Sequence, residues 1–115
     1  MEPFERVQRE VDVAAPAHTV WSSVGDPARL GNWLDARVKG DLAVGAPVEF
    51  ELGDGEVRRA VVREREEGRR LVLWWWPADR PSSATIVTIA VEPVPDDRSR
   101  VRVTETRVPR LRAAA

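Results

Sequence analysis

The sequence predicts an α+β fold in which an antiparallel sheet of about six to seven strands carries two short helices directly after its first strand. Residues 5–13 alternate between apolar and polar side chains, which is typical of a strand. Residues 16–34 contain two short helical patterns, and almost every later segment again has strand character. This order of one strand, two helices and five or six consecutive strands predicts an α+β class.

The first strand is predicted to be half-buried, because its side chains alternate with a period of two. One side carries Val7, Arg9, Val11 and Val13, and the other carries Gln8, Glu10 and Asp12.

The two helices have recognisable ends. Pro16 stands where the first helix can begin, and Gly25 follows the apolar residues Val20, Trp21 and Val24 as its predicted end. The pair Asp26-Pro27 suits the N-cap and first helical position of the second helix, PARLGNWL.

Turn signals divide the rest of the chain into strands. GDG at 53–55 and EGR at 67–69 predict tight hairpin turns, and PADRPSS at 77–83 predicts a loop. The strands between them include APVEFEL, RLVLWWW, ATIVTIAVE and SRVRVTETR. A sheet of this size needs cover on one face, and the two early helices are long enough to cover only part of it.

Composition bounds the function. The 115 residues fit one domain spanning 1–115, with 43% apolar residues and a net charge of −1. Positive charge forms no patch, which argues against nucleic-acid binding, and no apolar run approaches the roughly 20 residues that span a bilayer. The N-terminal residues lack a secretory pattern, so a cytoplasmic protein is expected. With no cysteine and His18 as the only histidine, the sequence offers neither a zinc site nor a catalytic triad, and it implies no metal or cofactor.

Several motifs in this order resemble the START-like (SRPBCC) helix-grip superfamily, and most closely its branch named for the activator of heat-shock protein 90 ATPase. The matching features span roughly residues 7–107: Ala15-Pro16, Val20-Trp21, Trp33, the strand entry at 45–50, Leu71 with Trp75, and Val91-Glu92-Pro93. The resemblance implies a curved antiparallel sheet gripping a long C-terminal helix, with an apolar cavity between them. In this sequence RLRAAA is too short for that helix, which is therefore expected to be absent or truncated, and Glu105 stands where relatives often carry histidine.

The triplet Trp74-Trp75-Trp76 must divide between two faces, since neighbouring side chains on a strand point in opposite directions. The resemblance implies that Trp75 lies on the concave, ligand-binding side. The apolar ligand-binding residues expected there are Trp33, Leu34, Phe50, Leu71, Leu73, Trp75, Val87, Ile89, Val101 and Val103, with Trp33 and Leu34 closing one end. Val48 and Val91 are expected on the same side. Packing alone is the alternative role for any of these side chains, because indoles often dominate cores.

Polar side chains could also reach the cavity. Glu105 and Arg9 are the candidates for orienting a ligand, joined by Thr85 and Arg63, and the alternative is a cross-strand ion pair near the rim.

Trp74 and Trp76 are then expected on the convex face. There they could form a contact with a partner protein or a second copy of the chain, or they could stack against arginines such as Arg58, Arg59 or Arg102.

The leading functional hypothesis is a domain that binds a small hydrophobic molecule, without predicted catalytic residues, and it predicts a cavity of several hundred cubic ångströms. The alternatives that the resemblance implies are a co-chaperone-like interaction module, as a homodimer or with a chaperone partner, and a polyketide cyclase or aromatase. An enzyme of that kind would have only Glu105, Arg9 and Thr85 for acid/base chemistry.

Overall fold

A seven-stranded antiparallel sheet is the framework of the protein, in a computed structural model that describes residues 7–108. The strands lie in the order β1-β7-β6-β5-β4-β3-β2. Along the chain the elements are β1 (Val7–Val13), α1 (Ala17–Val24), α2 (Pro27–Leu34), β2 (Ala36–Lys39), β3 (Pro47–Leu52), β4 (Val57–Glu66), β5 (Arg70–Pro77), a 3₁₀ turn (Pro81–Ser83), β6 (Thr85–Val94) and β7 (Arg98–Arg107). The predicted α+β, helix-grip class is confirmed; the expectation for the C-terminal residues RLRAAA lies outside the described part of the chain.

The ends of the helices follow their sequence signals. The Asp26 side chain accepts a hydrogen bond from the Arg29 backbone N–H at 3.0 Å, with Pro27 at the start of α2. Gly31 allows α2 to pack closely on β2, because a Cβ at this position would lie 2.5 Å from the carbonyl oxygen of Ala36. These contacts set where Leu34, the last residue of α2, meets the sheet.

The core lies between the concave face of the sheet and the two helices, with α1 packed on β6 and β7. Antiparallel pairing aligns the inward side chains across strands, as in the pairs Leu73–Val87 and Val91–Val101. The buried apolar residues are Val20, Trp21, Val24, Leu30, Leu42, Val48, Phe50, Ala60, Val62, Leu71, Leu73, Val87, Ile89, Val91 and Val101.

Strand β1 differs from its prediction as a half-buried strand. Val7 is 44% exposed and Val11 is 55% exposed, and only Val13 on the same side is half-buried. The reason is position: β1 is an edge strand, and among the described residues α1 packs on β6 and β7 while α2 packs on β2 at the other edge of the sheet. Within residues 7–108, the concave surface is therefore open on the β1 side.

None of the helices in residues 7–108 is long and apolar enough to cross a membrane.

Candidate functional site

An apolar cavity of about 130 Å³ lies on the concave face where β1, β5, β6 and β7 meet the end of α2. It is lined by Val7, Arg9, Leu34, Leu73, Trp75, Val87, Ile89, Val103 and Glu105. The cavity opens towards solvent along β1, where Val7 and Arg9 are exposed. Its volume is smaller than the several hundred cubic ångströms expected from the sequence, and it is close to the roughly 150 Å³ of an apolar cavity that holds benzene.

The walls follow directly from the two-residue period of the strands. Leu73 and Trp75 on β5 are two residues apart, as are Val87 and Ile89 on β6 and Val103 and Glu105 on β7. Cross-strand pairing brings these pairs side by side, with Val87 opposite both Leu73 and Glu105. A continuous apolar wall therefore ends in a single carboxylate.

Trp75 is held in place from three directions. Its ring meets Phe50 edge to face, with centroids 5.5 Å apart, and the Arg58 guanidinium lies 5.1 Å from the ring centroid. Its Nε1–H donates a hydrogen bond to Oε2 of Glu105 at 3.1 Å. The indole is thus a fixed wall of the cavity.

Arg58 was expected on the convex face, and that expectation is wrong. Ala60 pairs with Trp75, so Arg58, two residues earlier on β4, shares the concave face with them. Arg58 is also bound by Glu56, at 3.0 Å in an ion pair, which fixes the guanidinium above the indole.

Glu105 accepts two hydrogen bonds on one oxygen. Besides Trp75, the Thr85 hydroxyl donates to Oε2 at 2.6 Å. Arg9 lines the same cavity from β1, where it pairs with Val103, yet within residues 7–108 no ion pair joins Arg9 to Glu105. The cross-strand ion pair considered from the sequence is therefore not formed, and two opposite charges face one apolar space.

The structure brings eight of the predicted ligand-binding residues to the cavity: Arg9, Leu34, Leu73, Trp75, Val87, Ile89, Val103 and Glu105. Phe50, Leu71 and Val101 lie in the core, at most 1% exposed, and do not line it. Trp33 also lies away from it and is 42% exposed. Val7 lines the cavity but was not predicted; its alternation with Arg9 on β1 was the available signal.

The convex face carries the other two tryptophans. Trp74 and Trp76 are both half-buried, and the Arg63 guanidinium lies 4.4 Å from the centre of the Trp74 ring. The expectation that Arg63 could face the cavity is therefore wrong. Ala60 and Val62 point into the core, so the two-residue period of β4 places Val61 and Arg63 on the convex side.

Arg102, another candidate for stacking on these rings, is engaged elsewhere on the convex face. Its guanidinium bonds Glu10 at 2.7 Å and Glu92 at 3.2 Å. The hydrogen bond to Glu10, followed by the charge of Glu92, raises the pKa of Arg102 above its ordinary value.

A second polar network holds the helices against the β4–β5 hairpin and was not found from the sequence. Arg65 donates to the carbonyl oxygens of Leu42 at 2.6 Å and Gly25 at 3.2 Å. Glu67 binds Arg65 and accepts from Trp21 Nε1 at 3.3 Å. The hydrogen bond from Arg65, and then that from Trp21, holds the pKa of Glu67 below its ordinary value. We assign this network a structural role.

A shallower groove of about 490 Å³ lies between α2, β2 and β3, and its polar walls include Asp35, Arg37 and Glu51. No group of three or more His, Cys, Asp or Glu side chains within residues 7–108 is arranged to hold a metal ion.

Comparison with known proteins agrees with this geometry. The family described as "Activator of Hsp90 ATPase homolog 1-like protein" matches residues 14–115. A search of curated proteins gave no significant match.

Solved structures share the fold at low sequence identity. DynU16, from the dynemicin biosynthetic locus, is 23% identical with a TM-score of 0.77; the match covers 96% of this chain but only 40% of DynU16. A Mesorhizobium loti protein is 21% identical with a TM-score of 0.78, covering 91% of this chain and 78% of that one. An Hsp90 activator from Plasmodium falciparum is 16% identical with a TM-score of 0.74, covering 90% and 74%. Likenesses at this identity establish the fold.

Proposed function

We propose that this chain, which belongs to the family of activator of Hsp90 ATPase homolog 1-like proteins, binds a small hydrophobic molecule in the concave cavity. The observation that carries the proposal is the apolar space bounded by Leu73, Ile89 and Val103 that ends in the carboxylate of Glu105. Apolar walls with a few placed polar groups are the usual composition of a small-molecule site.

Binding would remove apolar ligand surface from water against the wall formed by β5, β6 and β7. Glu105 or Arg9 would orient a polar end of the ligand, and Trp75 would provide a rigid aromatic contact. The volume accommodates roughly one six-membered ring, and a longer ligand would extend through the opening along β1.

Toluene is a suitable first probe because it fills one ring and has no hydrogen-bonding group. An affinity of about 1 mM corresponds to about −4 kcal/mol, or about −0.6 kcal/mol for each of its roughly seven heavy atoms, well within the range of small ligands. We expect saturable binding of toluene to the wild-type protein in a ligand-observed NMR titration.

A cavity-filling variant localises that binding. Val103→Phe places a ring in the cavity and should abolish toluene binding, whereas Val44→Phe adds the same ring on a surface residue that is 63% exposed and should leave binding unchanged. Equal toluene binding by Val103→Phe, in a variant whose amide spectrum shows that it is folded, would contradict the proposal.

A protein contact through the convex face is the second candidate function. It is supported by the half-buried indoles of Trp74 and Trp76 and by membership of the family. The partner would be a second copy of the chain or a chaperone, and a cytoplasmic location would suit either.

The double substitution Trp74→Ser with Trp76→Thr tests that contact. The double variant should no longer self-associate, but it should still bind toluene. Self-association is measured by size-exclusion chromatography coupled to light scattering. If the wild-type protein is monomeric at every concentration, the homodimer is excluded. If the wild type is a dimer and the double variant has the same mass in solution, Trp74 and Trp76 do not form the dimer contact.

A cyclase-like activity is the third candidate and has the least support. Only Glu105, Arg9 and Thr85 could act as acid/base groups, and the Thr85 hydroxyl is already bound to Glu105. We assign no catalytic residue.

A further inference from the structure

We infer that the ligand of the concave cavity carries a hydrogen-bond donor, a hydroxyl or an ammonium group, that binds Oε1 of Glu105. This inference rests on the proposed function and narrows it from hydrophobic molecules in general to apolar molecules with one donor group.

The arrangement around Glu105 leaves one oxygen for a ligand. Trp75 Nε1 and Thr85 Oγ1 both donate to Oε2, at 3.1 and 2.6 Å. No residue in the range 7–108 donates a hydrogen bond to Oε1. Glu105 is half-buried and lines the cavity, so Oε1 is the carboxylate oxygen left for a ligand there.

The same hydrogen bonds orient the acceptor. Because Oε2 is held from two sides, the carboxyl group has a fixed direction and a donor on the ligand meets a preorganised partner. Hydrogen bonds to a charged acceptor are stronger than those between neutral groups, so Glu105 should contribute to the choice of ligand.

The site also discriminates against acceptors next to Glu105. The hydrogens of Trp75 and Thr85 that face this carboxyl are already used by Oε2, and a ligand carbonyl or carboxylate there would meet negative charge. Arg58 does not offset the negative charge of Glu105, because its guanidinium is paired with Glu56. Arg9 lies at the exposed opening, where solvent weakens its charge, so it would act on a more distant acceptor group.

The competing explanation is that Glu105 is present only to satisfy Trp75 and Thr85. Glu105→Gln separates the two roles, because the glutamine carbonyl oxygen can still accept from both donors while the charge and the free carboxylate oxygen are lost. Glu49→Gln is the matched control: it removes one negative charge from the opposite, convex side of the sheet.

The experiment compares phenol with toluene, which have the same number of heavy atoms and differ in one donor group. Dissociation constants for both are measured by NMR titration of the wild-type protein, Glu105→Gln and Glu49→Gln. The ratio of the toluene constant to the phenol constant is then compared between proteins, because the different water solubilities of the two probes cancel in that comparison.

We expect this ratio to fall about five- to tenfold in Glu105→Gln through weaker phenol binding, and to stay the same in Glu49→Gln. An unchanged ratio in Glu105→Gln, with toluene and phenol still bound, overturns the donor inference and leaves the proposed function standing. If the wild-type protein binds neither probe, the proposed function fails and the inference fails with it.

Discussion

Ser99 is a fully buried hydroxyl on β7, and Ser99→Ala tests how the β1–α1 connection is fixed to the sheet. Its Oγ–H donates to the carbonyl oxygen of Ala15 at 2.7 Å, just after β1 ends at Val13. Alanine fits the same space but leaves that carbonyl without its donor, at a cost of about 1–3 kcal/mol. For a domain of this size, that cost lowers the melting temperature by about 4–12 °C.

Urea unfolding and calorimetry measure this change. The urea concentration at the unfolding midpoint should fall. The dependence of the unfolding free energy on urea concentration should stay the same, because the variant exposes the same surface on unfolding. The control is Ser82→Ala in the exposed 3₁₀ turn, which should stay within about 0.5 kcal/mol of the wild type. If Ser99→Ala were equally neutral, the hydrogen bond to Ala15 would not contribute as described.

Two further predictions concern the helices. Gly31→Ala should lower the free energy of unfolding, measured in urea, because its Cβ would lie 2.5 Å from the Ala36 carbonyl oxygen and push α2 away from β2. Glu67→Gln should reduce the loss of unfolding free energy that the protein shows at acid pH. The reason is that hydrogen bonds from Arg65 and Trp21 lower the pKa of Glu67 in the folded state below 4.5. The stabilisation is therefore present above pH 4.5 and is lost as the pH falls through the folded pKa.

The controls for these predictions lie close by. Asn32→Ala changes the neighbouring exposed position of α2 and should not lower the free energy of unfolding, because alanine favours the helix. A Gly31→Ala variant as stable as the wild type would mean that helix propensity outweighs the close approach to β2. For Glu67, acid unfolding curves of the wild type and Glu67→Gln that have the same shape below pH 4.5 would refute the linkage.

Much of the fold and of the cavity wall could be predicted because one rule, the two-residue period of strands, governs both. Leu73 and Trp75 had to share a face, and the resemblance to helix-grip domains indicated that this face is concave. Val103 and Glu105 on β7 followed in the same way. The end of α1 and the start of α2 were equally local signals, at Gly25 and Asp26-Pro27.

The errors arose where partners far apart in the chain decide the outcome. The face of Arg58 depends on the register of β4 against β5. Arg63 is the exception: its convex position follows from simple alternation with the buried Val62. The hydrogen bonds of Arg65 join residues up to 40 positions away.

Cavity volume is also not a local property. The sequence indicates that Phe50 and Trp75 face inwards, but not that their rings meet edge to face and fill the space between them.

The indole N–H signals of the five tryptophans provide the most direct test of ligand binding in the cavity. Each signal can be assigned with a Trp→Phe variant, and the wild-type protein is then titrated with phenol up to about 10 mM, above the expected dissociation constant. The Trp75 signal should move in a saturable way, because its N–H lies at the cavity beside Glu105, while the signals of Trp74 and Trp76 stay in place. A saturable change at Trp74 or Trp76 without one at Trp75, or no saturable change at any of the five, would contradict a ligand site on the concave face.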